Sequence, residues 1–85
     1  MTIHEFPVKN FDRVKKELHK IIIQRIIILE LSKKEVQYKL KIGQPRASQL
    51  INGKLEYFSI EALLRYSMIL GVKFKLKHTI KVWKD

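Results

Sequence analysis

An 85-residue chain with 18 Lys and Arg against 8 Asp and Glu, a formal net charge of +10, points first to a polyanionic partner. Its 46% hydrophobic content suffices for one modest core, so residues 1–85 are expected to form a single small domain. The absence of cysteine excludes a disulfide framework and a thiolate metal site, and His4, His19 and His78 are too scattered to suggest a metal or catalytic centre, so no cofactor is expected.

Residues 1–10 read as an irregular or extended arm, with Pro7 discouraging helix before Asn10. Asn10 can cap a helix from Phe11 to about Glu30, whose core stripe is Phe11, Val14, Leu18, Ile21, Ile22 and Leu29 at helical spacing. Ile23, Ile26 and Ile27 project from its other sides, so its second half is apolar nearly all round and calls for cover on more than one side. The rest of the domain is the first choice for that cover, another protein the second. Gln24, Arg25 and Glu30 interrupt the apolar run, which falls short of the roughly 18 to 20 residues of a membrane span. The polar first 20 residues hold no apolar signal-peptide segment, so a cytoplasmic protein without a membrane partner is expected.

Residues 32–54 carry the most information. Val36 and Leu40 (i, i+4) give a first short helix one narrow core stripe, and Ala47, Leu50 and Ile51 (i, i+3, i+4) give a second helix another. Between them Ile42 turns inward and Gly43 can act as an N-cap, with Pro45 in the first turn, where its missing N–H costs nothing. Asn52-Gly53 ends the second helix. Gln44, Pro45, Arg46, Ser48 and Gln49 are left facing outward. Gln matches the N6/N7 edge of adenine and Arg the O6/N7 edge of guanine, while Ser serves either, so this face has the chemistry of a base-reading surface. An ordinary solvated face would mix signs, whereas Lys33, Lys34, Lys39, Lys41, Arg46 and Lys54 meet only Glu35 here.

Lys54 to Phe58 form a connection. Ser59 then caps a helix from Ile60 to Leu70, with Phe58 and Leu63 spaced as a hydrophobic staple and Gly71 as the stop. Ile60, Leu63, Leu64, Ser67 and Leu70 make its inward face, while Ala62, Tyr66 and Ile69 share a flank suited to a second core contact or to a partner. From residue 72 the period becomes two: Val72, Phe74, Leu76, His78, Ile80 and Val82 alternate with Lys73, Lys75, Lys77, Thr79, Lys81 and Trp83, a half-buried strand pattern. Such a strand needs a mate. The arm from Thr2 to Val8 is short and contains Pro7, so the same strand of a second copy is the better candidate, with Phe74, Leu76, His78, Ile80 and Val82 at a homodimer interface.

The series Leu31-Ser32-Lys33-Lys34-Glu35-Val36, Gln44-Pro45-Arg46 with Ser48, Leu50 to Leu55, Phe58-Ser59-Ile60, Leu63-Leu64 and Leu70-Gly71-Val72 resembles the Xre family of helix-turn-helix proteins. The likeness extends over residues 14–77 and is strongest to the Cro and phage-repressor type and its small HigA-like antitoxins. It implies a mainly α fold: a phage-repressor-like helical core at 11–71, joined here to the strand at 72–85. It also implies dimeric binding to a palindromic operator in double-stranded DNA and, often, a RelE/HigB-like toxin as partner. Carried across by position, Gln44, Pro45, Arg46, Ser48 and Gln49 would read bases. Lys33, Asn52 and Lys54 would meet phosphates, with Lys34 and Lys41 beside them. Lys41 and Gly43 depart from the family's turn Gly and Ser or Thr cap, at a cost of roughly a kcal/mol if Lys41 takes positive φ. Gln37 stands in place of a small Ala, and Lys33 in place of a Gln.

A catalytic reading lacks any grouping of nucleophile, base and orienting residue. An RNA-binding module lacks the RRM, KH or OB signatures. Two regulators remain: an antitoxin that represses its own promoter and neutralises a toxin, and a plain phage-type or cellular repressor.

Overall fold

The computed structural model describes residues 8–73. Four α-helices follow in order, α1 (Val8–Ile28), α2 (Lys33–Leu40), α3 (Gln44–Ile51) and α4 (Ile60–Ile69), with a 3-10 turn at Leu55–Tyr57 between the last two. Local sequence explains most of these limits. Ser32 and Glu35 form a reciprocal capping box on α2: the Glu35 N–H donates to Ser32 Oγ at 3.2 Å, and the Ser32 N–H donates to Glu35 Oε1 at 2.7 Å. Gly43 is the N-cap of α3 with Pro45 in the first turn, and Ser59 caps α4 by accepting from the Ala62 N–H at 3.0 Å.

All four helices stop in the same way, on a left-handed residue whose successor donates back across the last turn. Glu30 (φ 55), Lys41 (φ 57), Gly53 (φ 76) and Gly71 (φ 98) take that conformation. The N–H groups of Leu31, Ile42, Lys54 and Val72 then return to the carbonyls of Ile26, Gln37, Gln49 and Ser67 at 3.0, 3.1, 2.9 and 3.0 Å. Glycine holds this conformation without strain, whereas a Cβ makes it costly by about 1 kcal/mol. Lys41→Gly should therefore raise the free energy of unfolding by about 1 kcal/mol. An unchanged denaturant midpoint with unchanged slope would show that Lys41 carries no such strain.

The core is one cluster. Leu18 and Ile22 of α1, Val36 and Leu40 of α2, Ala47 and Leu50 of α3, Phe58, and Ala62, Leu63, Tyr66 and Leu70 of the α4 segment are buried together. The staple pair Phe58 and Leu63 and the inward residues Ser67 and Leu70 are all buried, while Ile60 and Leu64 pack half-buried at the rim. The hydroxyl of Ser67 donates to the Leu64 carbonyl at 2.7 Å, which satisfies it inside the core.

Three expectations are corrected. The first is the fold class: the described residues are all-helical, without a β-strand. Val72 and Lys73, where the strand was to begin, are irregular, and the Val72 N–H is spent on the α4 cap rather than free for a ladder. Alternation marks a strand only where a partner takes its backbone groups, and none is present among the described residues. The other strand positions, including the interface residues Phe74, Leu76, His78, Ile80 and Val82, lie outside the described residues. Second, α1 begins at Val8, so Asn10 is inside the helix and the arm cannot extend to residue 10. Proline restricts the residue before it and leaves those after it free to be helical. Third, the stripe of α1 is narrower than expected, since Phe11 and Leu29 are exposed. Ile23 and Ile26 are half-buried, but Ile27 is 67% exposed and Ile28 is 65% exposed. The neighbouring helices thus cover only part of the apolar half. On α4, Ala62 and Tyr66 are core residues, whereas Ile69 is exposed.

Candidate nucleic-acid interface

Helix α3 rests on the core through Ala47 and Leu50. Its opposite side therefore points outward, with Gln44 and Pro45 exposed and Ser48 and Gln49 half-buried. The side-chain amides of Gln44 and Gln49 make no hydrogen bond within the described residues, so their donors and acceptors are available to an incoming edge. Ser48 is engaged lightly, its hydroxyl accepting from Asn52 Nδ2 at 3.5 Å. Around this helix the cations are at the surface: Lys33 and Lys34 at the start of α2, Lys41 in the turn, and Lys54 with Asn52 beyond the end of α3 are all exposed. The cationic groups thus come from both ends of the helix pair.

Arg46 is placed differently from its neighbours on α3. It is half-buried, with its guanidinium carbon 4.4 Å from the centroid of the Phe58 ring. Its Nε donates to the Tyr66 hydroxyl at 3.3 Å and its Nη1 to the Tyr57 carbonyl at 3.4 Å. The residue links α3 to α4 and to the 3-10 turn.

Three side chains of α1 tie that helix to backbone carbonyls of later segments. His19 Nε2 donates to the Leu50 carbonyl at 2.8 Å, Arg25 Nε to the Leu70 carbonyl at 2.9 Å, and Lys15 Nζ to the Leu55 carbonyl at 3.5 Å. Sequence reasoning gave these residues no task. The acceptors lie 31, 45 and 40 positions away, and no local pattern announces them. It also passed over Tyr38, which is 85% exposed on α2 among the lysines and was hidden by its place between two core positions. An open depression of about 290 Å³ lies between α1 and the exit of α3, lined by Asp12, Lys15, Lys16, Gly53, Leu55 and Glu56. Four of these six residues are charged, with both signs present, unlike the apolar pockets that hold small ligands. Among the described residues no group of three or more His, Cys, Asp or Glu could hold a metal ion.

The helix pair, its turn and its cationic surround extend beyond a local likeness, because a family of helix-turn-helix domains matches residues 4–78. The chain belongs to that family. No curated protein and no solved structure matches the chain. The match makes it a helix-turn-helix domain of a DNA-binding family, and α2 and α3 are its two short helices joined by a tight turn. No helix of the domain, among the described residues, is long and apolar enough to cross a membrane.

Proposed function

We propose that this helix-turn-helix domain is a transcription regulator of the Xre type that inserts α3 into the major groove of a palindromic operator as a homodimer. The observation that carries the reading is the pairing of two unengaged glutamine amides, Gln44 and Gln49, with exposed cations at both ends of the helix pair. Gln44, Pro45, Ser48 and Gln49 face the base edges, and Lys33, Lys34, Lys41, Asn52 and Lys54 face phosphates. One short helix makes few contacts, and two copies related by a dyad reach successive major grooves about 34 Å apart.

Within that reading, the protein is an antitoxin that represses its own operon in the cytoplasm and also binds a RelE/HigB-like toxin. The support is the apolar surface left on α1 and α4, where Ile27, Ile28, Met68 and Ile69 are exposed on a chain that already has a polar face for DNA. The alternative is a plain repressor without a toxin. Co-expression with the product of the adjacent gene separates them: a stable complex supports the antitoxin, and its absence leaves the plain repressor.

The DNA reading is tested by salt. Each neutralised phosphate lowers log K by about 0.9 per tenfold rise in salt. Removing two phosphate contacts through Lys33→Ala with Lys54→Ala should therefore flatten the slope by roughly 1.8 and weaken all duplex sequences alike. A slope equal to that of the unmodified chain would take both lysines out of the interface. No binding to any duplex would end the regulator reading.

A further inference from the structure

The outward residues of α3 do not all have the same freedom. Gln44 and Gln49 make no side-chain hydrogen bond within the described residues, whereas Arg46 is held by three groups outside its own helix. Two of those groups belong to the core: Phe58 is 2% exposed and Tyr66 is 4% exposed, and their rings meet edge to face at 6.1 Å between centroids. A guanidinium recognises guanine by laying two N–H groups of its planar fork on O6 and N7. Here Nε and Nη1 already donate to Tyr66 and Tyr57, and the face of the fork lies over Phe58. Turning outward would give up the ring contact and leave the Tyr66 hydroxyl, inside a nearly closed site, without this partner.

We propose that Arg46 is a positioning residue that fixes α3 against α4 and the 3-10 turn, and that the half-site is read at adenines by Gln44 and Gln49, with Ser48 beside them. The proposal rests on the DNA-regulator reading above and narrows it. The usual partner of guanine on this helix is engaged within the fold through Nε, Nη1 and the ring of Phe58, whereas the two unengaged amides match adenine N6 and N7.

Selection from a randomised duplex pool, followed by titration of the chosen duplexes, tests it with the full chain, Arg46→Lys and Tyr66→Phe. Tyr66→Phe removes only the hydroxyl that holds Arg46, on a side chain too buried to reach DNA. The full chain should select adenine at two positions of each half-site. Both variants should lose discrimination at both positions together, by about threefold to tenfold, the worth of one hydrogen bond, with the salt slope unchanged. A role in stability alone would leave the base preference of the folded protein untouched. A selected guanine that disappears only in Arg46→Lys would show that Arg46 reads a base, and would overturn the proposal. So would Tyr66→Phe with the discrimination of the full chain. A full chain that enriches no sequence would overturn the proposal together with the reading beneath it.

Discussion

Ile22→Ala should destabilise the domain by about 2 to 5 kcal/mol, enough to leave a chain of this size largely unfolded. Ile22 has no exposed surface and sits on the face of α1 that meets the core cluster, so truncation removes buried methyl groups and leaves a cavity that the helices cannot fully close. The same substitution at Ile27, which is 67% exposed five residues later on the same helix, should cost no more than about 0.5 kcal/mol. Chemical denaturation followed by far-UV circular dichroism gives both values. Equal losses at the two sites would mean that α1 does not pack on the other helices through Ile22. A large loss at Ile27 alone would mean that its surface is covered in solution by another chain.

The contrast between these two isoleucines also marks how far the sequence could be followed. Spacing placed Leu18 and Ile22 on the inward face of α1, Val36 and Leu40 on that of α2, and Ala47 and Leu50 on that of α3, and all six are buried. Stops at Gly53 and Gly71 were legible because glycine alone holds left-handed backbone without strain, and both residues have positive φ. Positive φ at Lys41 was suggested only by the family resemblance, because the residue stands where that family has its turn glycine, and Lys41 takes φ 57. Features set by distant partners were not legible. A polar residue on an outward face looks the same whether it meets water or folds back, so nothing near Arg46 distinguishes it from Gln49. Its partners Tyr57, Phe58 and Tyr66 come 11 to 20 residues later. The strand reading failed at Val72 and Lys73 for a related reason: a strand is defined by its neighbour, and sequence period alone does not supply one. Isoleucines on all sides of α1 showed a need for cover without showing which sides the domain itself could provide.

Gln44→Ala with Gln49→Ala should remove most of the sequence discrimination of the domain while leaving its affinity for unrelated duplex DNA intact. Glutamine carries no charge, so neither change alters the number of phosphates neutralised, and the nonspecific term that depends on them should hold at every salt concentration. The specific term should fall by about 1 to 3 kcal/mol at each position where the amide is bidentate to adenine. Five residues along a helix separate the two amides by roughly 7.5 Å of rise, and they share no partner within the described residues. At that spacing they reach different base pairs, and their losses should add to within a few tenths of a kcal/mol. Competition titrations of an operator duplex against a scrambled one, carried out on both single variants and the double, measure the sum directly. A double variant no worse than the weaker single would place both amides on one base pair. Discrimination unchanged in all three would mean that α3 does not read the groove, and that the cations around it hold DNA without selecting it.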